Sequence, residues 1–192
     1  SFVIRKFEYV TSINKNLSTL YSIPKNKFFL LKPPSIIHKR CKYNDKSNIL
    51  HLGTINQYNY RQIHVFIKEN QAKDLRFVLV GKNFFPESFS NLAFCDDYGF
   101  VNENKLKGIF TTILASFVPY LNPEFDHYRY PSKVPDLLVA GVPTFLPNYE
   151  YYQGIFEYFP ELRYEQNARL CEADINDKLI CFKDNDYRHE LS

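Results

Sequence analysis

Short apolar runs alternate with amphipathic segments along most of the chain, and this alternation limits the possible folds more than any other feature. The runs lack the apolar-polar alternation of half-exposed strands, as is typical of parallel strands that are buried on both faces. Strand and helix patterns that repeat in this way predict βαβ units. We therefore expect an α/β fold, a Rossmann-like parallel sheet flanked by helices.

The pattern predicts strands and helices in strict alternation. Strands are predicted at Ile49–Leu52, Leu75–Val80, Gly99–Val101, Phe117–Leu121 and Pro143–Leu146. Helices are predicted at about Tyr60–Asn70, Pro86–Ala93, Asn104–Leu114 and Ser132–Ala140.

The ends of two helices carry their own signals. Asn102 precedes Glu103 and is expected to cap the third helix, whose apolar stripe is predicted to be core. That stripe comprises Leu106, Ile109, Phe110, Ile113 and Leu114. Gly141, followed by Pro143, is expected to end the fourth helix. Asp96-Asp97 is interpreted as a surface turn.

Three parts of the chain are distinguished. Residues 1–45 are predicted to hold the end of an N-terminal domain and a linker, with a helix over Ser12–Tyr21 and a strand over Lys27–Leu31. Residues 46–165 are predicted to form the Rossmann-like domain, with a helix over Asn148–Phe159. Residues 166–192 form a closing segment, and a helix or strand over Asn167–Phe182 is expected to close the sheet. Because the chain contains no Met and begins inside an apolar run, we expect it to be part of a longer polypeptide or a trimmed chain.

Composition excludes several classes of protein. Hydrophobic residues make up 45% of the 192 residues, enough to bury a core. The net charge of +3 comes from scattered Lys and Arg, which argues against nucleic-acid binding. The four cysteines contain no C-x-x-C pair and are interpreted as reduced thiols in a cytoplasmic protein. No apolar run is long enough to span a membrane, so any membrane contact is expected to be peripheral.

Parallel sheets bind ligands beyond the carboxyl ends of their strands. Gly53, Thr54 and Asn56 follow the first strand of the predicted domain and are expected near a ligand. Arg61, near a helix start, and Lys82, after the second strand, are candidates to hold a diphosphate. For both cations the alternative is an ordinary solvated side chain.

The segment Tyr130–Thr144 carries the strongest signal. Ser132 is predicted to cap a helix whose free N–H groups face an anion, and Lys133 adds a cation in the first turn. Asp136 is placed to accept hydrogen bonds from two ribose hydroxyls. The alternative is a carboxylate that only complements the helix dipole.

This segment resembles a signature of GT-B glycosyltransferases. Pro131-Ser132-Lys133, Asp136-Leu137-Leu138-Val139-Ala140-Gly141 and Val142-Pro143 are similar to P-x-K-x-x-E-y-l-A-a-G-x-P in the retaining group that carries a Glu-x7-Glu motif. Ile49–Thr54, Phe77–Gly81 and Gly99–Val101 resemble the first strands and base-binding loop of its C-terminal domain. The resemblance covers about residues 1–158 and implies the C-terminal half of a GT-B architecture.

The resemblance also implies roles for single residues. Asp136 stands where the second Glu binds the ribose, Phe100 and Val101 where backbone reaches the base, and Gly141 at the glycine turn. Arg61 and Lys82 lie in the diphosphate-binding region, although the G-R-L-x-x-x-K-G pattern is absent. Tyr128 stands where the first Glu is expected, with Asp126 or Glu124 as a substitute carboxylate. His127 is a catalytic candidate in the loop that enters the cleft.

The function that the resemblance implies is transfer of a sugar from a nucleotide-sugar donor to a glycan, lipid or other acceptor, without metal or cofactor. Its enzymatic class would be a hexosyltransferase-like glycosyltransferase of polysaccharide biosynthesis. One alternative is a non-catalytic nucleotide-sugar-binding or protein-interaction module with the same fold. Another is a dehydrogenase, which the missing G-x-G-x-x-G argues against.

Two groups of side chains allow both a structural and a functional interpretation. His51 on a strand and His64 on a helix face are more typical of structural histidines than of catalytic ones. An aromatic cluster follows the fourth helix and is interpreted as packing a C-terminal helix on the sheet, with a sugar-stacking platform as the alternative. Its members are Tyr149, Tyr151, Tyr152, Phe156, Tyr158 and Phe159.

Overall fold

A parallel sheet of six strands organises the protein. The computed structural model describes residues 10–12, 28–30, 48–70, 75–120, 133–164 and 182. The strands are β1 (Val10–Ser12), β2 (Phe28–Leu30), β3 (Asn48–Leu52), β4 (Arg76–Val80), β5 (Cys95–Asp97), β6 (Ile113–Phe117), β7 (Thr144–Pro147) and β8 (Arg163–Tyr164). β1 and β2 form a separate parallel pair, and the large sheet has the order β5-β4-β3-β6-β7-β8 with every pair parallel.

Helices cover both faces of the large sheet. They are α1 (Tyr60–Glu69), α2 (Glu87–Ser90), α3 (Glu103–Phe110), α4 (Lys133–Val139) and α5 (Gln153–Phe156), with 3-10 turns at Glu150–Tyr152 and Pro160–Leu162. Side chains of α1 and α2 pack with Ile49 and Phe77 on one face. Those of α3 and α4 pack with Leu50 and Val78 on the other. Adjacent strand residues thus enter opposite cores, which confirms the doubly covered α/β sheet.

Two strands differ from the sequence prediction. The third predicted strand, Gly99–Val101, is a loop, and β5 instead contains Asp96 and Asp97, which are not a surface turn. β5 lies at the sheet edge, where polar side chains reach water, so its sequence lacks the apolar run that marks a central strand.

The strand predicted at Phe117–Leu121 begins and ends earlier, as β6 at Ile113–Phe117. Helix α3 ends at Phe110, so Ile113 and Leu114 belong to this strand and not to the helical stripe. The hydroxyls of Thr111 and Thr112 donate to the carbonyls of Gly108 and Ile109, and the chain turns there. The prediction missed this turn because the strand residues continue the helical spacing by coincidence.

Both predicted helix-end signals are confirmed. The Asn102 side chain accepts a hydrogen bond from the Lys105 N–H at 2.9 Å, as an N-cap does. After α4, Gly141 adopts φ 71°. Its N–H donates to Leu138 O and the Val142 N–H donates to Leu137 O, which closes the helix in the manner of a Schellman turn.

Three members of the aromatic cluster after α4 are core, whereas Tyr158 is 78% exposed. Tyr149, Tyr152 and Phe156 are buried, and Phe182 packs on Phe145 with ring centroids 5.4 Å apart. Only short helical turns form here, whereas one helix was predicted over Asn148–Phe159. β8 is the last strand of the described sheet. The closing element predicted over Asn167–Phe182 lies outside the described part except for Phe182, as do residues 13–21 of the predicted N-terminal helix.

The glycine turns after β3 and β4 are in direct contact. A Cβ on Gly81 would lie 2.2 Å from the carbonyl oxygen of Gly53, and Gly81 has φ +135°. Gly53 N–H donates to Val80 O, and Gly81 N–H donates to Gly99 O. Only glycine fits at position 81, and the turns after β3, β4 and β5 are locked side by side.

Gly81→Ala is therefore expected to lower the free energy of unfolding by roughly 2–4 kcal/mol, because steric overlap and the left-handed backbone both oppose a side chain. Urea unfolding followed by circular dichroism measures the change. Gly108→Ala in α3 is the matched control: its Cβ would meet nothing within 4 Å, and helix propensity should add roughly 0.5–1 kcal/mol. Equal stability of Gly81→Ala and the wild type would contradict the packing described here.

Candidate functional site

The order of the strands places a topological switch point between β3 and β6, where a crevice is expected. The chain passes from β3 outward to β4 and β5, then returns to the other side of β3 to form β6 and β7. The connections after β3 and β6 therefore leave the sheet in opposite directions. Such a switch point is where open α/β sheets bind their ligands, at the carboxyl ends of the strands.

Three loops form a platform on one side of this crevice. They span residues 53–59, 81–85 and 97–101. Ile55 N–H donates to Lys82 O and Phe84 N–H donates to Ile55 O, which extends the parallel ladder beyond the strands. The backbone N–H groups of Gly53 and Gly81 are thus engaged by neighbouring carbonyls, so these glycines serve loop packing.

Asparagine and aspartate side chains fix the shape of the platform. Asn59 is buried; its side chain donates to Thr54 O and accepts from the Asn56 N–H at 2.8 Å each. Asn83 donates to Asp97 at 2.6 Å, and Asp97 accepts from the Gly99 N–H. Sequence reasoning missed Asn59, Asn83 and Asp97 as site-shaping residues, although Asn and Asp after a strand are typical of such turns.

Exposed aromatic rings and cations border the platform. Tyr58, Phe84, Tyr98 and Phe100 are all exposed, Phe100 to 89%. Lys82 Nζ lies 4.4 Å from the Phe84 ring centroid. Arg61 is exposed at the start of α1 and donates to the Tyr60 hydroxyl at 2.9 Å. The site border therefore offers positive charge and flat apolar surfaces together.

The first turn of α4 places a buried carboxylate beside a cation. Because α4 connects β6 to β7, it begins at the carboxyl edge of the sheet. Asp136 is only 4% exposed, whereas Lys133 is exposed and holds its Nζ 4.0 Å from Asp136 Oδ2. The positive charge of Lys133 therefore offsets the negative charge of the buried Asp136 carboxylate.

His51 lies near the end of β3, beside β6 at the switch point. Its side chain is 5% exposed, and neither ring nitrogen forms a hydrogen bond of good geometry in the described part of the chain, although the Phe117 backbone lies within reach of the ring. The ring lies 5.4 Å from that of Phe117 at the end of β6. Burial lowers the pKa of His51 to about 4, with the Phe117 backbone acting in the opposite direction, so the imidazole is neutral at neutral pH.

Comparison with solved structures gives the fold. TarM superimposes with a TM-score of 0.67 at 10% identity, covering 99% of this chain and 40% of TarM. The glycosyltransferase AviGT4 of avilamycin A biosynthesis gives 0.65 at 13% identity, covering 94% and 56%. Anabaena HepE, in complex with UDP and glucose, gives 0.67 at 8% identity, covering 97% and 56%.

The fold is that of GT-B glycosyltransferases. No protein-family model and no curated protein matches the chain. The chain spans 40% of the length of TarM and 56% of the length of each of the other two proteins. The Rossmann-like class and the GT-B resemblance predicted from the sequence are confirmed.

Within this GT-B fold, most of the predicted site residues lie at one edge. The carboxyl edge holds Gly53, Thr54, Asn56, Arg61, Lys82, Phe100, Val101, Lys133 and Asp136. Gly141 is not brought to them, because it follows the C-terminal end of α4 and precedes β7, at the opposite edge. Asp126, His127 and Ser132 lie outside the described residues, as do Glu124 and Tyr128.

The described residues were also considered for a metal site, a reactive thiol and a membrane-spanning helix. No group of three or more His, Cys, Asp or Glu side chains there could hold a metal ion. Burial, together with the nearby Asp97 and Asp96, raises the pKa of the Cys95 thiol to about 12, so this thiol is a poor nucleophile. None of the described helices is long and apolar enough to cross a membrane.

The buried neutral state of His51 should make stability depend on pH. The unfolded imidazole has a pKa of 6.5 and the folded one about 4, so the unfolded chain binds the proton more readily between these values. The stability contributed by neutral His51 is fully present above pH 6.5 and is lost as the pH falls.

Between pH 6.5 and 4 the wild type should therefore lose about 3 kcal/mol more stability than His51→Phe, which has nothing to protonate there. Urea unfolding of both proteins across this range measures the difference and cancels the contribution of the carboxylates. Parallel stability curves would contradict a buried, neutral His51.

Proposed function

We propose that this chain is the donor-binding half of a GT-B glycosyltransferase and binds a nucleotide-sugar at the carboxyl edge of its sheet. The observation that carries the proposal is the convergence of Arg61, Lys82, Lys133 and Asp136 on the switch-point edge of a sheet with the GT-B fold. HepE, which shares that fold, is in complex with UDP and glucose.

The cations have the chemistry that a diphosphate requires. Arg61 and Lys82 are exposed, and each contacts a neighbouring aromatic ring. Neither forms an ion pair with a carboxylate of the residues that the structure describes. A phosphate oxygen can accept charge-assisted hydrogen bonds from both without displacing an ion pair. We assign them to the diphosphate, with Ser132 and Lys133 at the start of α4 as further donors.

Asp136 has the chemistry that a ribose requires. Its carboxylate is nearly closed to water, and its Oδ2 lies 4.0 Å from Lys133 Nζ. A ribose that binds there would donate its hydroxyls to a carboxylate in a poorly solvated setting, where such bonds are stronger than in water. Phe100 and Val101 are assigned to the base, beside Gly53, Thr54 and Asn56.

These residues would assist departure of the nucleotide. In the transfer the bond from the anomeric carbon to the phosphate oxygen breaks, and its electron pair stays on the departing diphosphate. The acceptor hydroxyl oxygen forms the new bond and gives its proton to a base. Fixed cations beside the phosphate stabilise the charge that grows there, and we propose that no metal is needed.

The acceptor is proposed to be a glycan or a lipid-linked sugar of polysaccharide biosynthesis, met in the cytoplasm or at a membrane surface. Groups that act on the acceptor are expected outside the described residues, with Asp126 and His127 as candidates. The second candidate function is a non-catalytic nucleotide-sugar-binding module. Tyr128, in place of the first Glu of the motif, is the observation that favours it.

Calorimetric titration with UDP, GDP, ADP, CMP and NAD tests donor binding. At least one nucleoside diphosphate should bind more tightly than CMP, because the second phosphate reaches Arg61 and Lys82. Preference for NAD would instead indicate a dehydrogenase. The absence of binding to every nucleotide would contradict the proposed function.

Asp136→Asn should weaken binding of the preferred nucleoside diphosphate about tenfold, or about 1.4 kcal/mol, because the amide is a weaker acceptor for the ribose hydroxyls. Asp96→Asn is the matched control, since Asp96 pairs with Arg76 at 2.6 Å away from the crevice, and it should leave the affinity unchanged. If both variants bind as the wild type does, Asp136 has no role in holding the ribose.

A further inference from the structure

His51 is a buried polar side chain whose ring nitrogens form no hydrogen bond of good geometry with the described residues. It lies on β3, two residues after Ile49 and on the same face of the sheet. Its neighbour across the switch point is Phe117 of β6. His51 therefore occupies the junction of the two halves of the sheet.

The hydrogen bonding of the imidazole nitrogens is incomplete. A neutral imidazole has one N–H donor and one acceptor nitrogen. The Phe117 backbone lies within reach of the His51 ring, but neither nitrogen forms a hydrogen bond of good geometry with a described residue. A buried polar group left unsatisfied costs about 1–3 kcal/mol. If His51 served only to pack the core, an apolar ring at this position would give a more stable protein. The incomplete hydrogen bonding of His51 therefore points to a ligand.

Gly53, in the turn at the carboxyl edge, lies beside the ring of His51. A Cβ at position 53 would lie 3.7 Å from His51 Nε2, so Nε2 is the ring atom that a side chain at this position would meet. Gly53 thus borders the path by which a ligand on the platform could reach the imidazole. His64 offers a contrast, since it lies on α1 beside Phe89 with ring centroids 6.0 Å apart.

We propose that His51 is a binding residue that holds a hydroxyl group of the transferred sugar through Nε2. This inference rests on the proposed function and adds a residue that selects for the sugar rather than the nucleotide. A hydroxyl both donates and accepts, so it can satisfy either tautomer of a neutral ring.

The surroundings favour an uncharged partner. The Phe117 ring faces the imidazole, and in turn stacks on Phe66 with centroids 4.0 Å apart. Bringing a phosphate dianion into this aromatic environment would cost solvation that the neutral ring cannot replace. The exposed Arg61 and Lys82 lie on the platform, where water and cations suit the diphosphate.

Binding of UDP, GDP and ADP is to be compared with binding of UDP-glucose, GDP-glucose and ADP-glucose, by calorimetry on the full chain. For the nucleotide that binds, His51→Phe should weaken the sugar nucleotide about three- to tenfold, the range of one neutral hydrogen bond. The same variant should bind the free diphosphate as the wild type does. His64→Phe, the matched control, should change neither affinity.

A second measurement on the wild type does not depend on the variant folding. The ring nitrogen resonances of His51 should shift when the sugar nucleotide binds and should move far less with the free diphosphate. His51→Gln, which keeps a donor and an acceptor, should recover part of the affinity lost in His51→Phe.

Several results would overturn the inference without touching the proposed function. Unchanged affinity of His51→Phe for the sugar nucleotide would make His51 a structural residue. Equal losses for the free diphosphate and the sugar nucleotide would place the contact on the nucleotide instead. Failure of the wild type to bind any of these nucleotides would instead overturn the proposed function itself, and this inference with it.

Discussion

The close approach of Gly81 to the carbonyl of Gly53 determines the shape of the whole carboxyl edge. A Cβ at position 81 would overlap that carbonyl at 2.2 Å, so the two turns can lie side by side only when the residue is glycine. The hydrogen bonds Gly53 N–H to Val80 O and Gly81 N–H to Gly99 O then continue the sheet beyond its strands. A ligand that binds at this edge meets loops that are already fixed, which lowers the entropic cost of binding.

The same edge separates two electrostatic environments. On the platform, Arg61 and Lys82 are exposed and lie against aromatic rings. In the crevice, His51 is buried against Phe117 and neutral. Asp136 stands between these extremes, buried but facing Lys133. A nucleotide-sugar has the same division, with a charged diphosphate between two hydroxyl-rich sugars, and this correspondence underlies the functional proposal.

Local and periodic signals in the sequence predicted much of the fold. Contacts between residues far apart in the sequence could not be predicted from such signals. The Asn102 cap was predictable because its partner Lys105 is three residues away. β5 was missed because an edge strand needs no apolar run, and β6 was displaced because its residues extend the spacing of α3. For the site, residue types after strands indicated Arg61, Lys82 and Asp136. The burial of His51 against β6 and the link from Asn83 to Asp97 depend on pairing between distant segments.

Backbone amide chemical-shift mapping tests the central claim most directly, that the carboxyl edge between β3 and β6 is the nucleotide-sugar site. Titration with the nucleotide-sugar should move the resonances of residues 53–59, 81–85, 97–101 and 133–136, and should leave those of Lys68 and Gly141, at the opposite edge, in place. Shifts confined to the opposite edge, or to the helix faces, would contradict the account.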